Sequence, residues 1–322
     1  MKKTYRRFKL FLPIIAGLVV FTTLIGIFMF AFNYLDSNPH GIHFSNVSPI
    51  LFFVFLAITI GFSIYFVLSN KHIYITRTKN DSGFFKFSSL FAILAVITLS
   101  CYDLWALLQY GQGLDMARIF KVLRLIASIP AIVYLVLNAL PKRINRQNVV
   151  IPELPKKICS IAAILWSAFG LLAIFTYSNP QQFVFFKVMV IIYYILLTLY
   201  FLFDAKNSFI SPNAKLNIVS AIILFIVSFA FTVSALFGII IGKIDMISDI
   251  GRLHVGISEF ELVCALALGL YGFAKACEYA TTLKYVIETE SVSQYKQHKK
   301  PIKKQAGVDE QTCESNNSDE NK

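Results

Sequence analysis

The chain has 322 residues, of which 57% are hydrophobic and 15% charged. A soluble domain carries about 25% charged and about 45–50% apolar residues, so a water-soluble helical core does not account for this composition. The formal charge of +12 has the size expected of a nucleic-acid binder. However, the basic residues collect at the N-terminus, in alternate connections and in the tail, with no aromatic-interleaved basic patch, so nucleic acid is not an expected partner.

Residues 1–9 form a basic leader containing Lys2, Lys3, Arg6, Arg7 and Lys9. The apolar stretch that follows, 10–32, exceeds the 7–15 residues of a signal-peptide core and is closed by no small-x-small cleavage site, so it reads as a first span. Further spans are expected at 49–68, 87–108, 119–140, 158–177, 183–203, 216–241 and 257–274. A helix of about 20 apolar residues crosses a hydrocarbon core of about 30 Å. The expected fold is therefore an all-α polytopic membrane bundle of eight transmembrane helices, occupying 10–274.

Helix-start chemistry marks several of these spans. Ser48-Pro49, Asn179-Pro180 and Ser211-Pro212 each place a capping side chain before a proline, whose missing N–H has no partner to lose in the first turn. Pro155 fits the same role ahead of the fifth span. Ser258 and Glu261 have capping-box spacing at the head of the eighth span.

Loop charge sets the orientation. The leader, 70–86, 141–157, 204–215 and the tail are basic, whereas 33–48 and 178–182 contain no Lys or Arg. Positive loops stay inside, so both termini are expected in the cytoplasm of a plasma-membrane protein. The basic inner face is expected to attract anionic lipid head groups. Residues 275–293 read as a cytoplasmic extension of the last helix, and 294–322 as a disordered polar tail that offers a protein partner a docking segment.

The ionisable residues inside the spans are few. Asp103 lies in the third, Lys121 and Arg124 in the fourth, Lys187 in the sixth, and Glu259 and Glu261 in the eighth. All six fall in the outer third of their spans, which leaves the inner two-thirds without formal charge and suggests an outward-facing polar vestibule. Asp103 and Arg124 lie at similar depth on consecutive helices and are expected to pair. Charge at membrane depth points to function by default, and Asp103 is the strongest single candidate because its side chain is too short to reach water. Lys121 and Lys187 are expected to snorkel to the interface, and Glu261 to act as a cap. Arg118, Lys121 and Arg124 recur at every third position, a spacing similar to the charged helix of voltage-sensor domains. The similarity stops at those residues and Asp103, and the second span has no acidic countercharge. An amphipathic start to the fourth span explains the spacing more simply.

Other motifs carry less. Pro130 is expected to kink the fourth span, and Gly238 with Gly242 forms a small-xxx-small packing pair. Phe120-Lys121-Val122 and Phe186-Lys187-Val188 stand at the same offset from Tyr134 and Tyr200, with Asn138 and Asp204 coinciding further on, which suggests a tandem hairpin repeat. The odd set of five cysteines and the scattered histidines give no metal-ligand spacing, and no cofactor or nucleophile motif is present. Three functions are consistent with this: a permease for a small solute or ion; a non-catalytic sensor or scaffold acting through its tail; and, less favoured, an outer-leaflet lipid-modifying enzyme with Asp103 or Glu259 as base. The sequence leaves the oligomeric state open.

Overall fold

The structure is a computed structural model that describes residues 2–29, 47–69, 82–109, 116–140, 143–144, 147–148, 153–176, 184–209, 214–240 and 259–298. The described residues form helices α1 (Lys2–Phe28), α2 (Val47–Ser69), α3 (Gly83–Gln109), α4 (Met116–Ala139), α5 (Glu153–Thr176), α6 (Val184–Phe209), α7 (Ala214–Ile240) and α8 (Glu259–His298). Each of the eight contains a stretch long and apolar enough to cross a membrane. The protein is an all-helical, multi-pass integral membrane protein.

The helices extend past the hydropathy-defined spans where polar residues begin. α1 includes the basic leader, α6 continues through Asp204, and α8 runs through the expected extension 275–293 to His298, into the first residues of the segment expected to be disordered. α4 continues helically through Pro130. Between α4 and α5 the chain makes a two-residue antiparallel ribbon, β1 (Arg143–Ile144) with β2 (Gln147–Asn148), in a segment expected to be a plain loop.

Consecutive helices from α3 to α8 pack side by side, and α8 closes back onto α3, giving a ring of six. α1 and α2 pack on each other and on α7, with α1 also reaching α8. α7 and α8 are accordingly the most enclosed spans. Their close approach depends on small residues. A Cβ added at Gly269 would stand 2.7 Å from Ser228 Cβ, and one added at Gly272 would stand 3.0 Å from the Ala221 carbonyl oxygen. The anticipated pair Gly238/Gly242 is not this contact, and Gly242 lies outside the described residues.

α4 has the opposite amphipathicity from a helix of a soluble protein. Its buried stripe contains Lys121, Arg124, Ser128, Tyr134 and Asn138, while Met116, Ile119, Val122, Ile126, Ile129 and Val133 face outward. In a lipid environment apolar side chains lose nothing by facing out, so polar groups are turned inward to find partners. Hydroxyls elsewhere follow the same rule. Most donate to the carbonyl three or four residues back, as Thr23 does to Val19 and Ser228 to Leu224. A few bridge helices: Ser234 Oγ donates to the Thr23 carbonyl at 3.1 Å, and Thr198 Oγ1 lies 3.1 Å from Ser167 Oγ.

Candidate functional site: two buried polar layers

The first layer is centred on Arg124, eight residues into α4. Its guanidinium reaches three helices at once. Nε donates to Asp103 Oδ2 of α3 at 2.9 Å, and Nη2 donates to the same oxygen. Nη1 donates to Glu261 Oε1 of α8 at 2.7 Å and to the Tyr194 hydroxyl of α6 at 2.9 Å. Tyr194 in turn donates to the other Glu261 oxygen. Lys121, one turn before Arg124, places Nζ 3.3 Å from Asp103 Oδ1. Two cations thus face two carboxylates inside the ring.

This layer is closed. The side chains of Asp103, Lys121, Arg124 and Glu261 are between 1% and 4% accessible. It is an enclosed ion-pair cluster rather than the open vestibule expected from the sequence. The expected pairing of Asp103 with Arg124 is present. Lys121 does not snorkel; the buried stripe of α4 turns it inward, where Asp103 is a better partner than lipid. Glu261 is committed to Arg124 and Tyr194, a role larger than the cap expected for it. Its capping partner Ser258, and the side chains of Lys187 and Glu259, lie outside the described residues. Arg118 is half-buried at the head of the same helix.

Tyr194 was not foreseen, because tyrosines in apolar spans are common and carry no charge. Its placement depends on α5. A Cβ at Gly170 would come within 2.6 Å of the Tyr194 ring, so only glycine lets the ring lie against the α5 backbone and aim its hydroxyl at Glu261.

A second layer lies toward the α4–α5 end of the ring. The Asp204 carboxylate of α6 accepts from the Tyr134 hydroxyl of α4 and, at 2.9 Å, from Asn217 Nδ2 of α7. Asn217 Nδ2 also lies 3.2 Å from the Tyr279 hydroxyl of α8. One turn before Tyr279 on α8, Lys275 is buried with Nζ 5.1 Å from the centre of the Phe85 ring. Glu278, 1% exposed, accepts from the Ser82 backbone N–H at 2.8 Å, and the Ser82 hydroxyl accepts from Phe85 N–H at 3.1 Å. Buried charge thus stands just beyond the ends expected for the sixth and eighth spans, at 203 and 274. Asp204, Lys275 and Glu278 had been assigned to the cytoplasmic loop and extension, where hydropathy falls. The helices and their burial continue past that point.

α4, α6 and α8 contribute to both layers, α3 to the first through Asp103, and α7 to the second through Asn217. Among the described residues, no group of three or more His, Cys, Asp or Glu side chains is placed to hold a metal ion. Both carboxylates of the first layer accept from Arg124. No protein-family model, curated protein or solved structure matches the chain.

Proposed function

We propose that the protein is a membrane permease for a small solute or ion, and that the Arg124-centred layer is its outer gate and first contact with the solute. The observation that carries this reading is the convergence of Asp103, Lys121, Arg124, Glu261 and Tyr194 from four helices into one enclosed cluster. Holding helices together does not require it, because apolar side chains of similar volume pack as well or better than a buried ion pair. What a paired cluster adds is exchange. A charged or zwitterionic solute replaces one partner with one of its own groups, and the helices then separate without leaving a naked charge.

The loop charges orient this layer toward the outside and both termini toward the cytoplasm, in a plasma membrane. Flux assays in proteoliposomes with a panel of small anions, cations and zwitterions test the reading. The expected result is a solute that moves through the native protein and not through Asp103→Asn at equal incorporation. Equal flux through both would remove the first layer from the pathway.

A second reading rests on α8, which continues from the end of its span at Tyr279 to His298. A sensor or scaffold would use that extension and the tail to engage a protein partner. Such a protein tolerates Asp103→Asn and fails when the chain is cut after Glu290, the reverse of what a permease does.

A further inference from the structure

We infer that the solute of the first layer is a small organic monocarboxylate, whose carboxylate takes the place that Glu261 holds between Arg124 and Tyr194. This solute class rests on the transport reading of the same cluster and narrows it.

Glu261 is gripped at both oxygens of its carboxylate. Arg124 Nη1 donates to Oε1 at 2.7 Å, and the Tyr194 hydroxyl donates to Oε2. Nη1 also donates to the Tyr194 hydroxyl oxygen at 2.9 Å, so the two donors are held together as one unit. One charged N–H and one O–H, set against the two oxygens of a single group, form a carboxylate clamp of the charge-assisted kind. Both donors are supported from behind. Asp103 holds the Nε and Nη2 edge of the guanidinium, and the α5 backbone at Gly170 backs the Tyr194 ring. They keep their aim when Glu261 departs, and an incoming carboxylate meets a preorganised pair.

Glu261 is also the partner placed to leave. Asp103 joins Arg124 and Lys121 together, so its departure breaks two ion pairs. Glu261 is the third residue of α8. An outward shift of that first turn carries its side chain toward the outer water, to which loop charge orients this layer. With Glu261 hydrated, the cluster retains Lys121, Arg124 and Asp103, two cations against one carboxylate. A solute with one negative charge restores the balance. A neutral or zwitterionic solute leaves a buried cation uncompensated, and a dicarboxylate adds a charge without a partner, either of which is costly.

The test is the melting temperature of the purified full-length protein in detergent, at fixed pH, sodium concentration and ionic strength. Chloride is exchanged for formate, acetate, propionate, lactate or benzoate, and for nitrate as a planar anion that is not a carboxylate. A ligand that binds only the folded state raises the melting temperature in a saturable manner. The expected result is a saturable rise of several degrees with at least one carboxylate and none with nitrate. Tyr194→Phe keeps the ring and removes one donor, and it is expected to raise the half-saturating concentration about tenfold or more. Glu261→Gln removes the resident negative charge that competes for the clamp, and it is expected to lower the half-saturating concentration. Should Glu261→Gln fail to fold, Tyr194→Phe decides alone. No carboxylate-specific rise in the native protein, an equal rise with nitrate, or the same half-saturation in Tyr194→Phe overturns the inference. Weaker binding in Glu261→Gln overturns it too, since that side chain then belongs to the site instead of standing in for the solute. Flux assays in proteoliposomes tell the two readings apart. Flux of a solute other than a carboxylate, lost in Asp103→Asn, keeps the permease and removes this solute class, whereas carboxylate binding without any flux does the reverse.

Discussion

Arg124 is the residue on which the first layer depends, because its planar fork serves Asp103, Tyr194 and Glu261 simultaneously. A lysine there has one point charge and no fork, so the two are not interchangeable. Removing the cation altogether leaves two carboxylates buried beside Lys121 alone. Arg124→Leu is therefore expected to destabilise the bundle by about 3–5 kcal/mol, read as a lowered midpoint of unfolding in detergent. Making Asp103, Glu261 and Lys121 apolar as well is expected to recover most of that loss, because no buried charge is then left unpaired. If Arg124→Leu unfolds at the native midpoint, the cluster is not enclosed as described. The pairing of Asp103 with Arg124 was legible in the sequence from depth alone: both residues stand a few positions from one short connection. The inward turn of Lys121 was not, since snorkelling and burial place the same residue in the same span. Only the register of α4's apolar face, lipid-facing at Ile119, Val122, Ile126 and Ile129, distinguishes them.

At the scale of elements, glycine and capping positions govern how the helices meet. Gly170 on α5 is the only residue type that admits the Tyr194 ring at its present distance. Gly170→Ala is expected to cost about 1–3 kcal/mol through overpacking and to weaken the Tyr194–Glu261 bond. A Tyr194→Phe background should absorb none of the overpacking, since the ring remains. Equal stability of Gly170→Ala and the native protein would contradict the close approach of α5 and α6. At the opposite end, Glu278 of α8 fastens the start of α3 by accepting from Ser82 N–H. Glu278→Ala is expected to lose about 1–2 kcal/mol, the size of a lost helix cap, and to raise hydrogen exchange in the first turn of α3 specifically. Uniform exchange along α3 would argue against the contact. Hydropathy located every span but truncated α6 and α8, because it falls where polar residues begin regardless of whether they are buried. The better clue lay in spacing. Tyr134 and Asn138 stand at the same offset as Tyr200 and Asp204, and Tyr134 and Asp204 of these two sets meet in the second layer.

At the scale of the whole molecule, a closed ring of six helices surrounds two polar layers while its outer surface stays apolar. This is the arrangement expected when lipid is the solvent and polar side chains are retained for use. The orientation proposed from loop charge places Ser45 outside and Asn80 in the cytoplasm. Cysteines introduced at the two positions should then react with a membrane-impermeant thiol reagent from opposite faces of intact cells. Labelling of both from one face would invert or break the topology.

Access to the ring interior is the most direct test of the account. Ser128 of α4 is buried between the two layers, whereas its neighbour Ile129 faces outward. In a protein whose native cysteines have been replaced, Ser128→Cys and Ile129→Cys can be exposed to a charged, impermeant thiol reagent from the outer side. The expected result is slow modification of Ser128→Cys that accelerates when Asp103→Asn loosens the first layer, with Ile129→Cys unreactive in lipid throughout. Ser128→Cys that stays inert in both backgrounds would mean that the charges lock a dry bundle, and that nothing passes between the helices that carry them.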